Sequence, residues 1–239
     1  MGEKISQPIE FTLILPGFNE EEVVSRSVEE CHTAIKKNFS LYEIILINDC
    51  SSDSTGKEME KAATMYPEVR VYHNRENLGQ AVSLKKGFEM ARGEIVMHNA
   101  FDLPFNPRDI DKIKNAMSED VDIVVVERQD RRSYSLSRKL ISLTNVMILK
   151  ALFRCPFADY NFVQAYRRKV LDTIPIKTQA VSSVTPELII RSYRANFSIK
   201  SIKLPYHERK TGKSTIRVKH VADALIDTLK LWWYLKSNK

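Results

Sequence analysis

The fold is decided by residues 77–103, which read NLGQAVSLKKGFEMARGEIVMHNAFDL. Three glycines punctuate the first part of this stretch, which has the composition of a helix, and the apolar run at residues 94–97 leads from there to Asp102. In an open α/β fold, ligands bind outside the carboxyl ends of the strands. We therefore expect a helix and then a buried strand, with the carboxylate of Asp102 at the ligand-binding edge of the sheet.

Further strands alternate with helices around this stretch. Apolar runs at residues 11–15, 42–47, 69–72 and 122–126 have the length of buried strands, and residues 55–65 are predicted to form a helix. Such alternation predicts one mostly parallel sheet with helices on both faces. A chain of 239 residues is long enough to bury the core of a single α/β domain.

The segment after the first strand, PGFNEEE at residues 16–22, breaks the strand and is predicted to open a helix. We expect Asn19 to be the N-cap of that helix, because asparagine side chains accept hydrogen bonds from the first helical amides. The glutamates that follow would then lie in the first turn, where the helix dipole favours negative charge.

Six segments resemble, in order and spacing, the inverting family 2 glycosyltransferases that have the GT-A fold. The six are residues 16–20, 48–55, 77–93, 102–107, 138–142 and 209–214. The resemblance is closest to the polyprenyl-phosphate branch, of which the dolichol-phosphate mannosyltransferases are typical. It implies a single GT-A, Rossmann-like domain over residues 1–215, with a mixed, mostly parallel sheet flanked by helices. Apolar residues at helical spacing separately predict a C-terminal amphipathic helix over residues 216–239.

By this resemblance, one set of residues binds a nucleotide-sugar donor. The set is Pro16, Phe18, Glu20, Asn48, Asp49, Asn77, Gly79, Gln80, Ala100, Asp102, Arg209 and Ser214. Pro16, Phe18 and Glu20 would line the base pocket, with Asp49 near the base or the ribose. The usual Asp-Asp pair of the relatives here reads Asn48-Asp49, which leaves the nucleotide preference open.

The residues alone leave structural alternatives open for two members of this set. Glu20 could be only a first-turn acid that the helix dipole favours. Gly79 could serve close packing of a helix on a strand instead of approaching the donor with its backbone.

A divalent metal is expected at Asp102. Mg²⁺ or Mn²⁺ held by a carboxylate and by both donor phosphates would neutralise the charge that develops on the leaving nucleoside diphosphate. The chain departs from the family here, because the relatives' Asp-x-Asp pair falls on Ala100 and Asp102. Metal binding is therefore expected to be weaker, differently coordinated, or partly replaced by cationic side chains.

The resemblance assigns the phosphate of a lipid acceptor to Arg128, Arg138 and Ser142. A phosphate is already ionised at neutral pH, whereas a sugar hydroxyl would need a general base. Asp159 is the motif acid available for that task, or else it only orients neighbouring groups. The loop around Arg209 is expected to close on the donor diphosphate and exclude water. The predicted catalytic residues are thus Asp102, Asp159 and Arg209.

The formal net charge of +7 indicates anionic partners. Nucleic acid is not expected, because aromatic residues are not interleaved with the basic ones as a base-stacking surface requires. Phosphate groups on the donor, on a lipid acceptor and on an anionic membrane account for the charge better.

Cysteine and histidine do not indicate a metal centre. Cys31, Cys50 and Cys155 have no metal-ligand spacing and cannot all pair, which favours a reducing cytosol. The five histidines form no His-x-x-x-His pair, so a zinc site is not expected.

We expect neither a signal peptide nor a membrane-spanning helix in this sequence. The amino terminus is polar, and no apolar run approaches the ~20 residues that a bilayer requires. The C-terminal segment has apolar residues at helical spacing, and lysines flank its Trp232-Trp233-Tyr234 cluster. Such a helix either lies in the membrane interface or packs on the core of its own domain, and the sequence favours neither.

We therefore expect a glycosyltransferase that moves a sugar from a nucleotide-diphosphate sugar to polyprenyl phosphate with inversion. It would act as a peripheral protein on the cytoplasmic face of a membrane. Transfer to a saccharide hydroxyl, in surface polysaccharide or lipopolysaccharide synthesis, is the alternative. With Ala100 in place of an acid, a catalytically impaired nucleotide-sugar binding subunit is another, and a homodimer or a membrane partner subunit stays open.

Overall fold

The computed structural model of the chain describes residues 8–129, 136–178, 183–205 and 218–237, without the side chains at 136–142 and 218–224. The described residues form one α/β domain. The strands are β1 (Phe11–Gly17), β2 (Tyr42–Asn48), β3 (Val69–His73), β4 (Ile95–His98), β5 (Ile123–Arg128), β6 (Gln164–Arg167) and β7 (Ile199–Leu204). The helices are α1 (Val24–Lys36), α2 (Thr55–Met65), α3 (Gln80–Met90), α4 (Ile110–Ala116), α5 (Leu136–Phe153), α6 (Arg168–Thr173), α7 (Val184–Arg194) and α8 (Val218–Ser237), with a 3₁₀ turn at Pro107–Asp109.

All of these strands belong to one sheet, in the order β3-β2-β1-β4-β6-β5-β7. β6 runs antiparallel to its neighbours β4 and β5, and the other described pairs are parallel. The mixed, mostly parallel sheet predicted from the sequence is confirmed. The predicted strands end within about two residues of the observed ones, which is the usual uncertainty of element boundaries. The predicted domain boundary at residues 215–216 lies outside the described residues and stays a prediction.

Both faces of the sheet are apolar and buried, as expected for parallel strands that helices cover on both sides. On β1, Leu13 and Leu15 belong to the cluster under α1, α2 and α4, whereas Ile14 belongs to the cluster under α3, α5 and α7. Burial of each such side chain contributes about 1.5–3 kcal/mol to folding. This double layer fixes the strand ends at which the candidate site lies.

Two glycines in the 77–103 stretch allow α3 to lie directly on β1. A Cβ at Gly87 would overlap the side chain of Ile14, and a Cβ at Gly93 would lie 2.6 Å from the backbone nitrogen of Thr12. Gly87 therefore allows α3 to pack closely on β1, and Gly93 allows the turn between α3 and β4 to do the same. Gly79 has a different role, because it has no neighbour within 4 Å of a Cβ position and its φ is +84°.

The predicted start of the first helix is wrong. α1 begins at Val24 with Val23 as its N-cap, and no acidic residue lies in its first turn. Asn19 instead has a φ of 54°, and its Oδ1 accepts a hydrogen bond from the backbone nitrogen of Ser52 at 2.9 Å. The asparagine side chain thus satisfies the loop after β2, and a turn at residues 21–23 separates it from α1.

Glu43 holds several elements together at the amino edge of the sheet. Its buried carboxylate accepts hydrogen bonds from Arg92 Nη2 at 2.7 Å, Arg70 Nη1 at 2.8 Å and Thr12 Oγ1 at 2.9 Å. Burial raises the pKa of Glu43, but these hydrogen bonds, those from Arg92 first, outweigh it and leave the pKa below its ordinary value. The ionised carboxylate therefore links β1, β2, β3 and the turn after α3.

The C-terminal helix α8 packs on the domain with one side. Leu231 is buried, and Trp232 and Leu235 pack against the cluster that α7 also covers. The other side exposes Leu229 and Trp233, and 67% of Trp233 is accessible. Core packing is confirmed for the first side, and membrane contact by the second stays a prediction. None of the helices that the structure describes is long and apolar enough to cross a bilayer.

Candidate active site

The candidate active site lies at the edge of the sheet where the parallel strands end. Phe18 follows β1, Asp49 follows β2, Asp102 follows the end of β4, and Arg128 is the last residue of β5. Asp159 precedes β6, which runs in the opposite direction and so begins at the same edge. The topology thus brings together residues that the sequence predicted for the donor and for the acceptor.

Hydrogen bonds join the loops that follow β1 and β2. The backbone nitrogen of Asn19 donates to Ser51 Oγ at 3.0 Å, and that of Glu20 donates to Thr55 Oγ1 at 2.7 Å. Phe18 stands beside these contacts with 46% of its surface accessible. Phe18 and Glu20, both predicted for the base pocket, therefore lie on the loop after β1, which hydrogen bonds attach to the segment after β2.

Asn48, the last residue of β2, is bound by its neighbours. Its Oδ1 accepts a hydrogen bond from the backbone nitrogen of Ser51 at 3.0 Å, and its Nδ2 lies 2.9 Å from His73 Nδ1. The other ring nitrogen of His73 lies 2.8 Å from Glu60 Oε1. Since Asn48 donates to Nδ1, a neutral His73 carries its proton on Nε2 and donates it to Glu60.

Pro16, also predicted for the base pocket, is buried near the end of the neighbouring strand β1.

Asp49 is buried and accepts hydrogen bonds from three donors in the described part of the chain. These are Asn74 Nδ2 at 2.7 Å, the backbone nitrogen of Leu78 at 3.0 Å and that of Gly79 at 2.8 Å. Its own backbone nitrogen donates to the carbonyl oxygen of Gly17 at 2.9 Å. The carboxylate therefore binds the loop before α3.

The loop before α3 also carries Asn77 and Gly79, and Gln80 is the first residue of the helix. Asn77 and Gln80 are exposed on either side of Gly79, which is the N-cap of α3. The positive φ of Gly79 is one that residues with a Cβ rarely adopt. The N–H of Gly79 already donates to Asp49, so it does not have to bind the nucleotide sugar. Open space lies next to the Gly79 backbone.

Asn99, directly after β4, holds the loop that contains Asp102. Its Nδ2 donates to the carbonyl oxygen of Phe105 at 3.0 Å, and its backbone nitrogen donates to that of Ile14 at 3.0 Å. Asp102 is half-buried in this loop, two residues after Ala100. The side-chain amide of Asn99 thus stabilises the loop. It does not replace the carboxylate that the family's Asp-x-Asp pattern has at the position of Ala100.

His98 is also committed to the protein. Its Nε2 lies 3.0 Å from Gln164 Oε1, and burial lowers the pKa of His98 although that hydrogen bond opposes the shift. The described residues contain no group of three or more His, Cys, Asp or Glu side chains that could hold a metal ion. The assignment of Asp102 as a metal ligand stays a prediction.

Arg128 and Asp159 form a bidentate ion pair. Arg128 Nε lies 2.6 Å from Asp159 Oδ2, and Nη2 lies 2.8 Å from Oδ1. Only 2% of the Asp159 side chain is accessible, and the guanidinium lies over the ring of Phe162, 5.4 Å from its centroid. The residue predicted to grip the acceptor and the residue predicted to act as base are therefore partners of each other.

Four predicted site residues fall outside what the structure describes. Arg209 and Ser214 lie in an undescribed range, and Arg138 and Ser142 lie in the first turns of α5, where the side chains are not described. Their assignments to the donor and the acceptor stay predictions.

Two site residues, Asn74 and His73, were missed in the sequence. Asn74 Nδ2 binds both Asp49 and Ser83 Oγ, the latter at 2.9 Å, and the residue is buried directly after β3. His73 ends β3 and binds Asn48. The signal that could have found them is positional, because both stand at the carboxyl end of a predicted strand.

This sheet order, with polar or charged residues after β1, β2 and β4, is that of an open α/β fold, which binds its ligand at the carboxyl edge of the sheet. The profile described as Glycosyl transferase family 2 matches residues 12–175. The chain belongs to glycosyl transferase family 2 and is a glycosyltransferase enzyme.

Two curated relatives of the chain share one name. The chain is 29% identical over 230 residues to the undecaprenyl-phosphate 4-deoxy-4-formamido-L-arabinose transferase of Proteus mirabilis (strain HI4320), covering 95% of this chain and 68% of the relative. It is 26% identical to the protein of the same name from Pseudomonas fluorescens (strain Pf0-1), covering 91% of this chain and 63% of the relative. The chain thus spans about two thirds of the length of these relatives.

Solved structures agree on the fold. Glucosyl-3-phosphoglycerate synthase from Mycobacterium tuberculosis, in complex with UDP, superposes with a TM-score of 0.70 at 16% identity, covering 94% of this chain and 80% of that chain. The same enzyme with Mg²⁺ and UDP gives a TM-score of 0.72. The predicted GT-A fold is confirmed.

Proposed function

We propose that this glycosyltransferase transfers a sugar from a nucleotide-diphosphate sugar to a polyprenyl phosphate, with inversion at the anomeric carbon. The relatives support the acceptor class, because both have undecaprenyl phosphate in their names. In this reaction an acceptor phosphate oxygen forms a bond to the anomeric carbon. The bond from that carbon to the donor phosphate oxygen breaks, and the nucleoside diphosphate leaves with the electron pair.

The pairing of Asp159 with Arg128 is the observation that carries this choice of acceptor. A saccharide hydroxyl must lose a proton as it attacks, so that acceptor requires a general base. Asp159 is the acid that the sequence offers for this task, but both of its oxygens accept hydrogen bonds from Arg128. A phosphate acceptor is ionised before it binds and needs only to be positioned. This agrees with an Asp159 carboxylate that orients Arg128 and does not act as a base.

We assign the acceptor phosphate to Arg128, Arg138 and Ser142. Arg138 and Ser142 lie four residues apart on α5 and therefore on neighbouring turns of the same side of the helix. Arg138 is in the first turn, where the helix dipole adds partial positive charge. A guanidinium can donate two parallel hydrogen bonds to a phosphate.

We propose that a divalent metal binds at this site together with the nucleotide-sugar donor. We propose that Asp102 provides the protein ligand and that the donor phosphates and water complete the shell, which is how Mg²⁺ is often bound by one carboxylate. The solved glucosyl-3-phosphoglycerate synthase structures with Mg²⁺ or Mn²⁺ and UDP support a metal. When bound, Mg²⁺ or Mn²⁺ would neutralise charge on the leaving diphosphate. We propose that Arg209 and Ser214 add to this neutralisation and exclude water.

We further propose that α8 keeps the enzyme at the cytoplasmic face of a membrane as a peripheral protein. Its exposed side carries Leu229 and Trp233, with Lys230 and Lys236 nearby on the helix. Tryptophan beside lysine suits the headgroup region of an anionic bilayer. The described cysteines are free, which fits a reducing compartment.

Radiolabelled sugar transfer tests the proposal. Purified protein is incubated with a panel of labelled nucleotide sugars and with either polyprenyl phosphate or a saccharide acceptor. Label in the polyprenyl-phosphate product supports the proposal. Label in the saccharide alone would assign the enzyme to polysaccharide synthesis, and donor binding without any transfer would favour an impaired subunit.

A further inference from the structure

A set of hydrogen bonds, the clasp, holds the loop after β1 against the loop after β2. The backbone nitrogen of Asn19 donates to Ser51 Oγ at 3.0 Å, and Asn19 Oδ1 accepts from the backbone nitrogen of Ser52 at 2.9 Å. The backbone nitrogen of Glu20 donates to Thr55 Oγ1 at 2.7 Å. The clasp therefore depends on the turn that places the two serines.

The side-chain amide of Asn48 fixes that turn. Asn48 Oδ1 accepts a hydrogen bond from the backbone nitrogen of Ser51 at 3.0 Å, which determines the end of the amide that each neighbour meets. Asn48 Nδ2 therefore faces His73 Nδ1, at 2.9 Å, and donates to it. This hydrogen bond needs a lone pair on Nδ1, so it forms only with a neutral imidazole whose proton is on Nε2.

Glu60 favours the other protonation state of His73. Its Oε1 lies 2.8 Å from His73 Nε2, and a carboxylate at that distance stabilises an imidazolium. In the imidazolium Nδ1 also bears a proton, so two N–H groups would face each other between His73 and Asn48. Asn48 would then have to turn its amide, which would bring Nδ2 to the N–H of Ser51 and break that hydrogen bond. One side chain thus transmits the protonation of His73 to the clasp.

Charged residues stand on or beside each element that packs against His73. On α2, Glu60 contacts the ring, and Lys57 lies three residues before it on the same side of the helix. Asp49 follows β2, but amides of the loop before α3 donate to its carboxylate. Arg75 follows β3. In the described part of the chain Glu60 is the acid in hydrogen-bond contact with the ring, so its removal should change the titration of His73 most.

We propose that His73 is a positioning residue for donor binding, whose neutral form fixes Asn48 and holds the clasp, and whose protonation opens the clasp and weakens binding of the nucleotide sugar. This inference rests on the proposed nucleotide-sugar donor, because the clasp holds the loop that carries Phe18 and Glu20. Donor affinity is then fully present above the pH at which His73 titrates and is lost as the pH falls through it.

Imidazole and amide ¹⁵N NMR test the coupling without any ligand. At pH 7.5 we expect a neutral His73 with its proton on Nε2. Between pH 7.5 and pH 5.5 the backbone amide signals of Ser51 and Asn19 should shift with the same midpoint as the His73 ring. In Glu60→Gln that midpoint should move to lower pH, because the carboxylate no longer stabilises the imidazolium. In His73→Gln the two amide signals should lose this titration.

Calorimetric binding of UDP-glucose and GDP-mannose measures the effect on the donor, because the diphosphate of a nucleotide sugar does not titrate in this pH range. The wild type should bind about fivefold or more weakly at pH 5.5 than at pH 7.5. His73→Gln can still accept from Asn48 and donate to Glu60, so it should keep its affinity at both pH values. His73→Phe can do neither and should bind about fivefold or more weakly at both.

His32→Gln provides the matched control, with a melting curve for each variant. His32 Nε2 also lies beside a glutamate, 3.4 Å from Glu68 Oε2, but it belongs to the third turn of α1. This variant should show the same loss of affinity at pH 5.5 as the wild type.

Three results would overturn the inference, even if His73→Phe does not fold. They are an imidazolium or an Nδ1–H tautomer of His73 at pH 7.5, a Ser51 amide signal that does not follow the His73 ring, and a His73→Gln variant that loses affinity at pH 5.5 as the wild type does. A wild type that binds neither nucleotide sugar, although its Ser51 amide signal follows His73, would instead contradict the proposed donor and support the clasp.

Discussion

The carboxylate of Asp159 accepts two hydrogen bonds from the guanidinium of Arg128, at 2.6 and 2.8 Å, where β5 ends and the chain enters β6. The pair joins two segments that are 31 residues apart in the chain. The pair fixes Arg128 at the edge of the sheet. It also engages both oxygens of Asp159, the carboxylate that a hydroxyl acceptor would need as a general base.

If Asp159 positions Arg128, Asp159→Asn should act mainly on the acceptor. The amide has one acceptor atom where the carboxylate has two and carries no charge, so the bidentate ion pair is lost. We expect the acceptor KM to rise about tenfold or more while kcat falls by less than the ~100-fold typical of a lost general base. Glu127→Gln is the control, because Glu127 accepts a hydrogen bond from the backbone nitrogen of Ala158 and should have a small effect. A collapse of kcat at unchanged acceptor KM, with loss of one limb of the pH profile, would identify Asp159 as the base.

Asp102→Ala should lower turnover by ~100-fold or more, because it removes the carboxylate that we assign to the metal. This loss corresponds to about 3 kcal/mol of transition-state stabilisation. Asp111→Ala, at an exposed acid in the first turn of α4, should leave turnover near the wild-type rate. Steady-state rates before and after chelation give a second readout, and a wild type indifferent to chelators would remove the metal from the account.

The two tryptophans of α8 should respond differently to truncation. Trp233→Ala should weaken sedimentation with anionic vesicles and leave the melting temperature unchanged, because this ring is 67% exposed. Trp232→Ala should lower stability by about 3 kcal/mol or less, because its ring packs on the core and Lys236 Nζ lies 4.9 Å from its centroid. Wild-type protein that stays in the supernatant with anionic vesicles at low salt would contradict the membrane contact.

Glu43 should make stability depend on acid pH. Its pKa is lowered in the folded state, so its contribution is fully present above the ordinary glutamate pKa of ~4.3 and is lost as the pH falls through the lowered value. Glu43→Gln should cost about 2 kcal/mol at pH 7, less than for a fully buried pair because 57% of the Arg92 side chain is accessible. Urea unfolding at several pH values should show this difference shrinking toward acid pH, and a difference independent of pH would contradict the ion-pair origin.

The sheet and its ligand-binding edge could be predicted from local pattern. Apolar runs identify strands, and parallel strands end at a common edge, so Asp49 and Asp102 were expected at that edge, whereas Arg128 was assigned only by the family resemblance. The helix at residues 55–65 was predicted with the bounds that α2 has, because its periodicity and flanking turn residues agree.

The side-chain partners could not be predicted, because they depend on contacts between distant segments. Asn19 has the composition of an N-cap, yet it binds Ser52, 33 residues away. The pairing of Arg128 with Asp159 requires β6 to run antiparallel between β4 and β5, which no local pattern shows. The sequence also grouped Trp232 with Trp233, although successive helical residues point about 100° apart and only one of these two rings packs on the core.

Transfer of the preferred labelled sugar is measured side by side with polyprenyl phosphate and with the same polyprenol without its phosphate. We expect a labelled product with the phosphate and none above background with the alcohol, because the alcohol needs a base that Asp159 does not supply. Equal transfer to the alcohol, or to a saccharide hydroxyl, would contradict it.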